Sequence, residues 1–222
     1  MKLFSSSLKV CIALLACTGA ACAMGEKTVS PDGRFTALVA REHSAGIVFS
    51  NEDGHKILGP MHCQHAQFSP NSRFIAIQEG KIGRGMGFFS VYATETGERI
   101  CASEGTIGDF SPDSNLLAVY LAPHIGNPLE TSLRLYSTAN GESWIIPNCM
   151  SVIFNPDGKL VAITGFSGHG ADVTVVRTAT GEIIFGPVSG NRPVFLPNSN
   201  SNANGQLLRV FANKVESTYL LK

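Results

Sequence analysis

No stretch of this 222-residue sequence is apolar for long enough to cross a bilayer. The run from Val10 to Ala16 falls far short of the roughly 20 residues that a spanning helix needs. Charge of one sign is missing as well. Seventeen Lys and Arg stand against 17 Asp and Glu, so no basic excess is available to neutralise phosphates, and nucleic-acid binding is disfavoured. Of six cysteines, Cys11, Cys17 and Cys22 lie before residue 24, which leaves Cys63, Cys101 and Cys149. Three thiols leave one over after any pairing, so a disulfide framework is not what holds the chain together. One bridge stays open in an oxidising compartment, and the spacing picks no pair. Apolar residues are not lacking. At 44% of the chain they exclude general disorder and are enough to build a core.

The first residues read as a leader. Lys2 and Lys9 precede the apolar run, and Ala21-Cys22-Ala23 supplies the small residues that a signal peptidase needs. Residues 1–23 are therefore expected to be a secretory signal cleaved before Met24, placing the protein outside the cytoplasm, secreted or periplasmic. A competing reading takes Leu14-Leu15-Ala16-Cys17 as a lipobox with Cys17 acylated, making a membrane-anchored lipoprotein; Leu15 fits poorly, because that position usually holds a small residue. Removing the leader takes away two lysines and no acids, leaving 15 basic against 17 acidic side chains.

The body of the chain repeats itself, and a repeat decides the fold before any local reading does. VSPDGRFTALVA, FSPNSRFIAIQE, FSPDSNLLAVYL and FNPDGKLVAITG are copies of one phrase. Ser30, Ser69, Ser111, Asn155 and Leu196 each precede a proline, at spacings of 39, 42, 44 and 41 residues. A second phrase keeps step with it: NEDGHKI, TETGERI, TANGESW and TATGEII place glycines at 54, 97, 141 and 181. The first phrase has the chemistry of a tight hairpin. Pro31, Pro70, Pro112 and Pro156 preset φ, Asp32, Asp113 and Asp157 fold back onto the backbone, and Gly33 and Gly158 supply positive φ. Where Ser72 and Ser114 replace glycine, the preceding Asn or Asp is expected to share the strain. The apolar runs between phrases are short and rich in β-branched and aromatic residues, hence strands. Each period supplies one four-stranded sheet, which cannot bury two apolar faces alone and must stack on its neighbours.

FSPDG followed by LA, then a strand ending in TG, resembles the blade repeat of the WD40-like, TolB-type β-propellers over about residues 27 to 222. The Trp-Asp dipeptide of true WD40 blades is absent; Tyr92-Ala93, Tyr136-Ser137 and Arg177-Thr178 stand in its place. The resemblance implies an all-β propeller of about five four-stranded blades, near 27–62, 63–106, 107–148, 149–190 and 191–222. FLPNSNSNANG stretches the turn of the last blade, which is degenerate. Closure as five blades, or an open ring that dimerises, are both left standing. The resemblance also implies protein–protein work in the cell envelope.

Hairpin logic puts the SPDG and TG turns at one end of every sheet and the connections between second and third strands at the other. Those second connections are where the copies disagree: REHSAG, EGKIGRGMGFF, LAPHIGNPLET and GFSGHGAD. Variable loops on a rigid scaffold are the usual place for binding, against the plainer reading that they are tolerated insertions. EGKIGRGMGFF, with Lys81 and Arg84, lacks the strand-to-helix setting and the Lys-Ser/Thr of a phosphate loop, and is better read as a hairpin displaying Met86 and Phe88 to a protein. His43, His124 and His169 fall one to a loop, an arrangement able to bind a transition metal, though surface histidines are common and loops of different blades stand apart. In MHCQHA, His62, Cys63 and His65 are expected on an inner strand, with Cys63 and His65 on one face and core packing the plainer account. Gly165-Phe166-Ser167-Gly168-His169 lacks the second glycine of a nucleophile elbow. The residues imply no cofactor. The leading expectation is a non-catalytic binding or scaffold module with a protein partner. The rival is a small propeller enzyme, a metal-dependent or lactonase-like hydrolase using the histidines.

Overall fold

The computed structural model describes residues 25–40, 43–80, 87–121, 132–167, 170–197, 206–212 and 215–221. They form nineteen strands in antiparallel sheets, with no α-helix among the described residues. The first sheet runs β1 (Gly25–Val29), β2 (Phe35–Ala40), β3 (Ala45–Ser50), β4 (Lys56–His62). The second runs β5 (His65–Phe68), β6 (Phe74–Glu79), β7 (Phe88–Ala93), β8 (Arg99–Glu104). The third holds β9 (Thr106–Phe110), β10 (Leu116–Leu121), β11 (Ser132–Ser137), β12 (Ser143–Ile146), and the fourth β13 (Cys149–Phe154), β14 (Leu160–Ser167), β15 (Gly170–Arg177), β16 (Ile183–Ser189). The degenerate fifth repeat makes a sheet of three: β17 (Asn191–Leu196), β18 (Gln206–Ala212), β19 (Val215–Leu221). Neighbours in each sheet are neighbours in the chain, as hairpin connections require. The chain divides into two compact units, one ending at Ile107 and the other beginning at Gly108.

In the first unit, alternation along β2 turns Phe35, Ala37 and Val39 inward, where they meet Ala66 and Phe68 of β5 and Ile75 and Ile77 of β6. In the second unit one strand serves two cores. Val161 and Ile163 of β14 pack with Leu133 and Leu135 of the third sheet, while Leu160 and Ala162 pack with Leu208 and Val210 of the fifth. That is why the middle of the fourth repeat reads as an unbroken apolar run: both faces of its sheet are covered by neighbours, the condition for stacked repeats.

The two phrases keep step because they are bonded to each other. First and second strands are joined by 30–34, 69–73, 111–115 and 155–159, third and fourth by 51–55, 94–98, 138–142 and 178–182. Ser30, Ser69 and Ser111 accept through Oγ from the N–H of Phe35, Phe74 and Leu116 at 3.0, 3.0 and 2.9 Å, and donate to Asp32, Asn71 and Asp113. In the fourth sheet Asn155 Oδ1 takes over, accepting from Leu160 N–H at 2.8 Å. The head of the second phrase then ties across. Asn51, Thr94, Thr138 and Thr178 donate their N–H to the carbonyls of Arg34, Arg73, Asn115 and Lys159 at 2.7–3.0 Å, and Thr138 and Thr178 add hydroxyl bonds to Ser114 and Gly158 carbonyls at 2.7 and 2.8 Å.

One expectation about these turns is corrected. Where serine replaces glycine, the serine itself takes the left-handed conformation, φ 62° at Ser72 and 64° at Ser114, and the residue before it does not. The turn bonds fix the fourth position whatever occupies it. At Ser72 the hydroxyl also accepts from Asp32 N–H of the neighbouring turn, at 3.0 Å, a bond glycine cannot make.

Candidate functional site

The connections at the opposite ends of the sheets vary, spanning 41–44, 80–87, 122–131 and 168–169. The second of these stands on a rigid base, built around Gln78 of β6. Its side chain is fully buried and uses its whole amide: Nε2 donates to the carbonyls of Phe88 and Gly105, both at 3.0 Å, and Oε1 accepts from Ile107 N–H at 2.9 Å. A Cβ on Gly87 would collide with that amide, so the chain can leave the loop only through a glycine. The other root is held by Gly80 N–H donating to His62 Nδ1 at 3.2 Å, and Ser90 Oγ donates to Glu79 Oε1 at 2.7 Å. Beside this frame Phe88 leaves its ring 53% exposed, although it pairs in the sheet with Glu79 on one side and Glu104 on the other.

Of the residues singled out at this end, Phe88 and His43 are described, and His43 is exposed just before β3. Lys81, Arg84, Met86, His124 and His169 lie outside the described residues. Pro31, Asp32, Gly33, Pro70, Pro112, Asp113, Pro156, Asp157 and Gly158 all fall in the uniform turns at the other end. There desolvation works against ionisation of Asp32, and the bonds from Ser30 and Arg34 outweigh it, holding the carboxyl well below the usual range. Gln78, Glu79 and His62 escaped the reading of the sequence. The signal was there in FIAIQE: a lone amide at the end of a buried run must find partners for all its polar atoms.

MHCQHA is arranged differently from the expectation. His62 ends β4, the last strand of the first sheet, Cys63 and Gln64 form the link, and His65 opens β5, so the three do not share a strand. Cys63 is 1% exposed, its Sγ donating to the His65 carbonyl at 3.5 Å, and Gly46 leaves room for it, since a Cβ there would sit 2.6 Å from that of Cys63. Cys149 repeats the device toward Ser151 at 3.5 Å. Burial pushes both thiols up to about 12 and Cys101 to about 11, and none of the three is bridged. His65 instead faces Glu26 at 3.4 Å. Among the described residues no three His, Cys, Asp or Glu side chains gather as metal ligands, and no helix is long and apolar enough to cross a membrane. Ser167 closes β14 opposite Gly170 of β15, strand to strand.

No protein-family model matches the sequence, and no curated protein matches it. Solved structures do resemble it. A crystal structure of a eukaryotic initiation factor is similar at TM-score 0.57 with 17% identity, over 88% of this chain and 52% of that one. Prolyl oligopeptidase B from Galerina marginata is similar at 0.53 with 12% identity, over 87% and 36%. The open-velcro β-propeller domain of the Trilobed protease from Pyrococcus furiosus is similar at 0.50 with 13% identity, over 87% and 71%. The chain thus spans about half or less of the first two proteins. At these identities the likeness is one of fold: the chain is a β-propeller with five blades, the last of three strands.

Proposed function

We propose that this β-propeller is a non-catalytic binding module, secreted or periplasmic, that engages a protein partner through the variable ends of its sheets. What carries the reading is Phe88. A large apolar ring left 53% exposed beside a frame that spends every polar atom of Gln78 is placed for contact, and aromatic anchors on rigid supports dominate protein interfaces. The sequence just before it carries Arg84 and Met86, types enriched at protein interfaces, with Lys81 adding a second positive charge. The leader of residues 1–23, cleaved before Met24, accounts for the compartment, with acylation at Cys17 as the alternative route.

The test is capture from an envelope extract, using the mature chain as bait and comparing it with a variant carrying Gly-Ser in place of 81–86 together with Phe88→Ala. Loss of one captured protein with an unchanged melting temperature is expected. Capture that survives this variant, but is lost on replacing the exposed side chains of the uniform turns, would sink the assignment of faces.

A further inference from the structure

A second site lies in the unit beginning at Gly108. Between β12 and the outer half of the fourth sheet is an open cleft of about 380 Å³, within the range of small-molecule sites. Its walls are Trp144 and Ile146 of β12, Ile163 and Phe166 of β14, and Ile183 and Pro187 of β16. Phe166 and Ile183 stand at 45% and 63% exposure, so the apolar lining faces water. The repeat does not demand this cleft. In the unit ending at Ile107 the equivalent strand, β4, runs for seven residues and closes down on the next sheet. There the Ile57 carbonyl and a Leu58 methyl lie 3.0 and 3.2 Å from where a Cβ on Gly97 would be. Gly181 holds the same turn position in the fourth sheet, lines the cleft, and has nothing within 4 Å. The difference begins with β12, which has four residues and stops before Pro147.

One lining residue is charged. Asp172 of β15 receives Ser189 Oγ at 3.3 Å, a neutral donor, and makes no ion pair with a described cation. A carboxylate with no counter-charge among the described residues, at the edge of an apolar cleft, selects for a ligand that is apolar in body and positive at one point. We propose that this cleft binds a small apolar amine: one ammonium or guanidinium group on an aromatic or branched hydrocarbon body, the body between Trp144, Phe166 and Ile183 and the cation against Asp172. The site does not depend on the partner surface proposed above.

Trp144 is the sole tryptophan of the chain and lines the cleft, so its fluorescence reports the site directly. The experiment titrates the mature protein with phenylbutylamine and with phenylbutyrate, which share a body and differ in charge, and repeats both by calorimetry so that a silent indole does not hide binding. A saturable signal is expected for the amine, with roughly tenfold weaker binding of the acid, a preference that shrinks at high salt. Asp172→Asn should erase that preference while leaving residual binding, and Ile183→Asp, at an exposed position, should weaken the body contact. Neither compound binding, equal binding of the two, or an amine preference surviving Asp172→Asn would each overturn the proposal. So would a concentration-dependent dimer that Ile183→Asp dissolves, since a second copy would then be the occupant.

Discussion

Gly158→Ala isolates what the turn phrase does. Gly158 sits at φ 75°, where a residue with a Cβ is about 1–2 kcal/mol worse than glycine. A methyl there would also stand 2.5 and 2.6 Å from Cγ and Oδ1 of Asp113, in the turn of the preceding sheet. That carboxylate is not free to swing away. It accepts from Ser111 Oγ at 2.6 Å, Asn115 N–H at 3.2 Å and Asn115 Nδ2 at 2.8 Å, and giving up one or two such bonds at a partly exposed site costs about 1 kcal/mol each. The sum is roughly 2–4 kcal/mol. Gly181 provides the internal control. It lies in the same unit at φ 72° with nothing within 4 Å, so Gly181→Ala should cost only the backbone share, about 1–2 kcal/mol.

At about 2–4 °C per kcal/mol for a chain of this size, the two variants should melt several degrees apart. Calorimetry reads the difference, and Trp144 fluorescence reports the unit that contains both glycines. Asp113→Ala supplies the decisive arm: in that background Gly158→Ala should cost no more than Gly181→Ala, because the obstruction is gone. Equal losses for the two glycines in the natural background would refute the reasoning. So would a Gly158→Ala penalty that Asp113→Ala leaves untouched.

Three further perturbations follow from the same bonds. Gln78→Leu strands the carbonyls of Phe88 and Gly105 and the N–H of Ile107; urea denaturation should show a loss of about 3 kcal/mol or more, and a neutral result would mean that water replaces the amide. Asp32→Asn keeps the turn, as Asn71 does in the second sheet, but loses the 2.6 Å pair with Arg34. Since the folded carboxyl is held below its unfolded value of about 3.9, its stabilisation is present above about pH 4 and lost as pH falls further, so the melting temperatures of variant and wild type should converge in acid. The raised thiols work in the opposite direction. With Cys63 and Cys149 at about 12 against about 8.5 unfolded, their share of stability is intact below about pH 8.5 and drains away as pH rises beyond it. Iodoacetamide at neutral pH should label neither thiol until urea is added.

The fold was legible because its signals are local and repeated. A Pro-Asp-Gly hairpin needs its residues within five positions, and four copies made the period visible without any long-range information. The serine turns show where that reading stopped. Sequence places Ser72 where glycine stands elsewhere, but only the neighbouring turn, whose Asp32 N–H donates to the hydroxyl, gives the replacement its reason. Gln78 was missed for a similar cause: its partners at Phe88, Gly105 and Ile107 lie 10, 27 and 29 positions away.

The cleft beside β12 is the harder case, because nothing in its residues announces a site. Trp144, Ile146, Ile163 and Ile183 read as ordinary apolar strand positions, and two of their equivalents in the first unit, Leu58 and Ile77, are buried in its core. What opens the cleft beside them is a subtraction: β12 ends before Pro147, while β4 continues through Lys56–His62 and packs Leu58 and Met61 with the core of the first unit. In a repeat protein each interface is built from nearest neighbours, so shortening one outer strand opens one interface and leaves the others intact. A missing half-strand costs burial of apolar surface at roughly 25 cal/mol per Å². If the cleft were only a defect, filling it should be free of functional consequence and should raise stability. Gly181→Leu is a poor filler because of its φ, so Thr174→Ile, from a lining position on β15, is the appropriate change. A gain in melting temperature together with loss of phenylbutylamine binding would mark the opening as kept for a ligand, and a gain in stability with binding unchanged would refute that account.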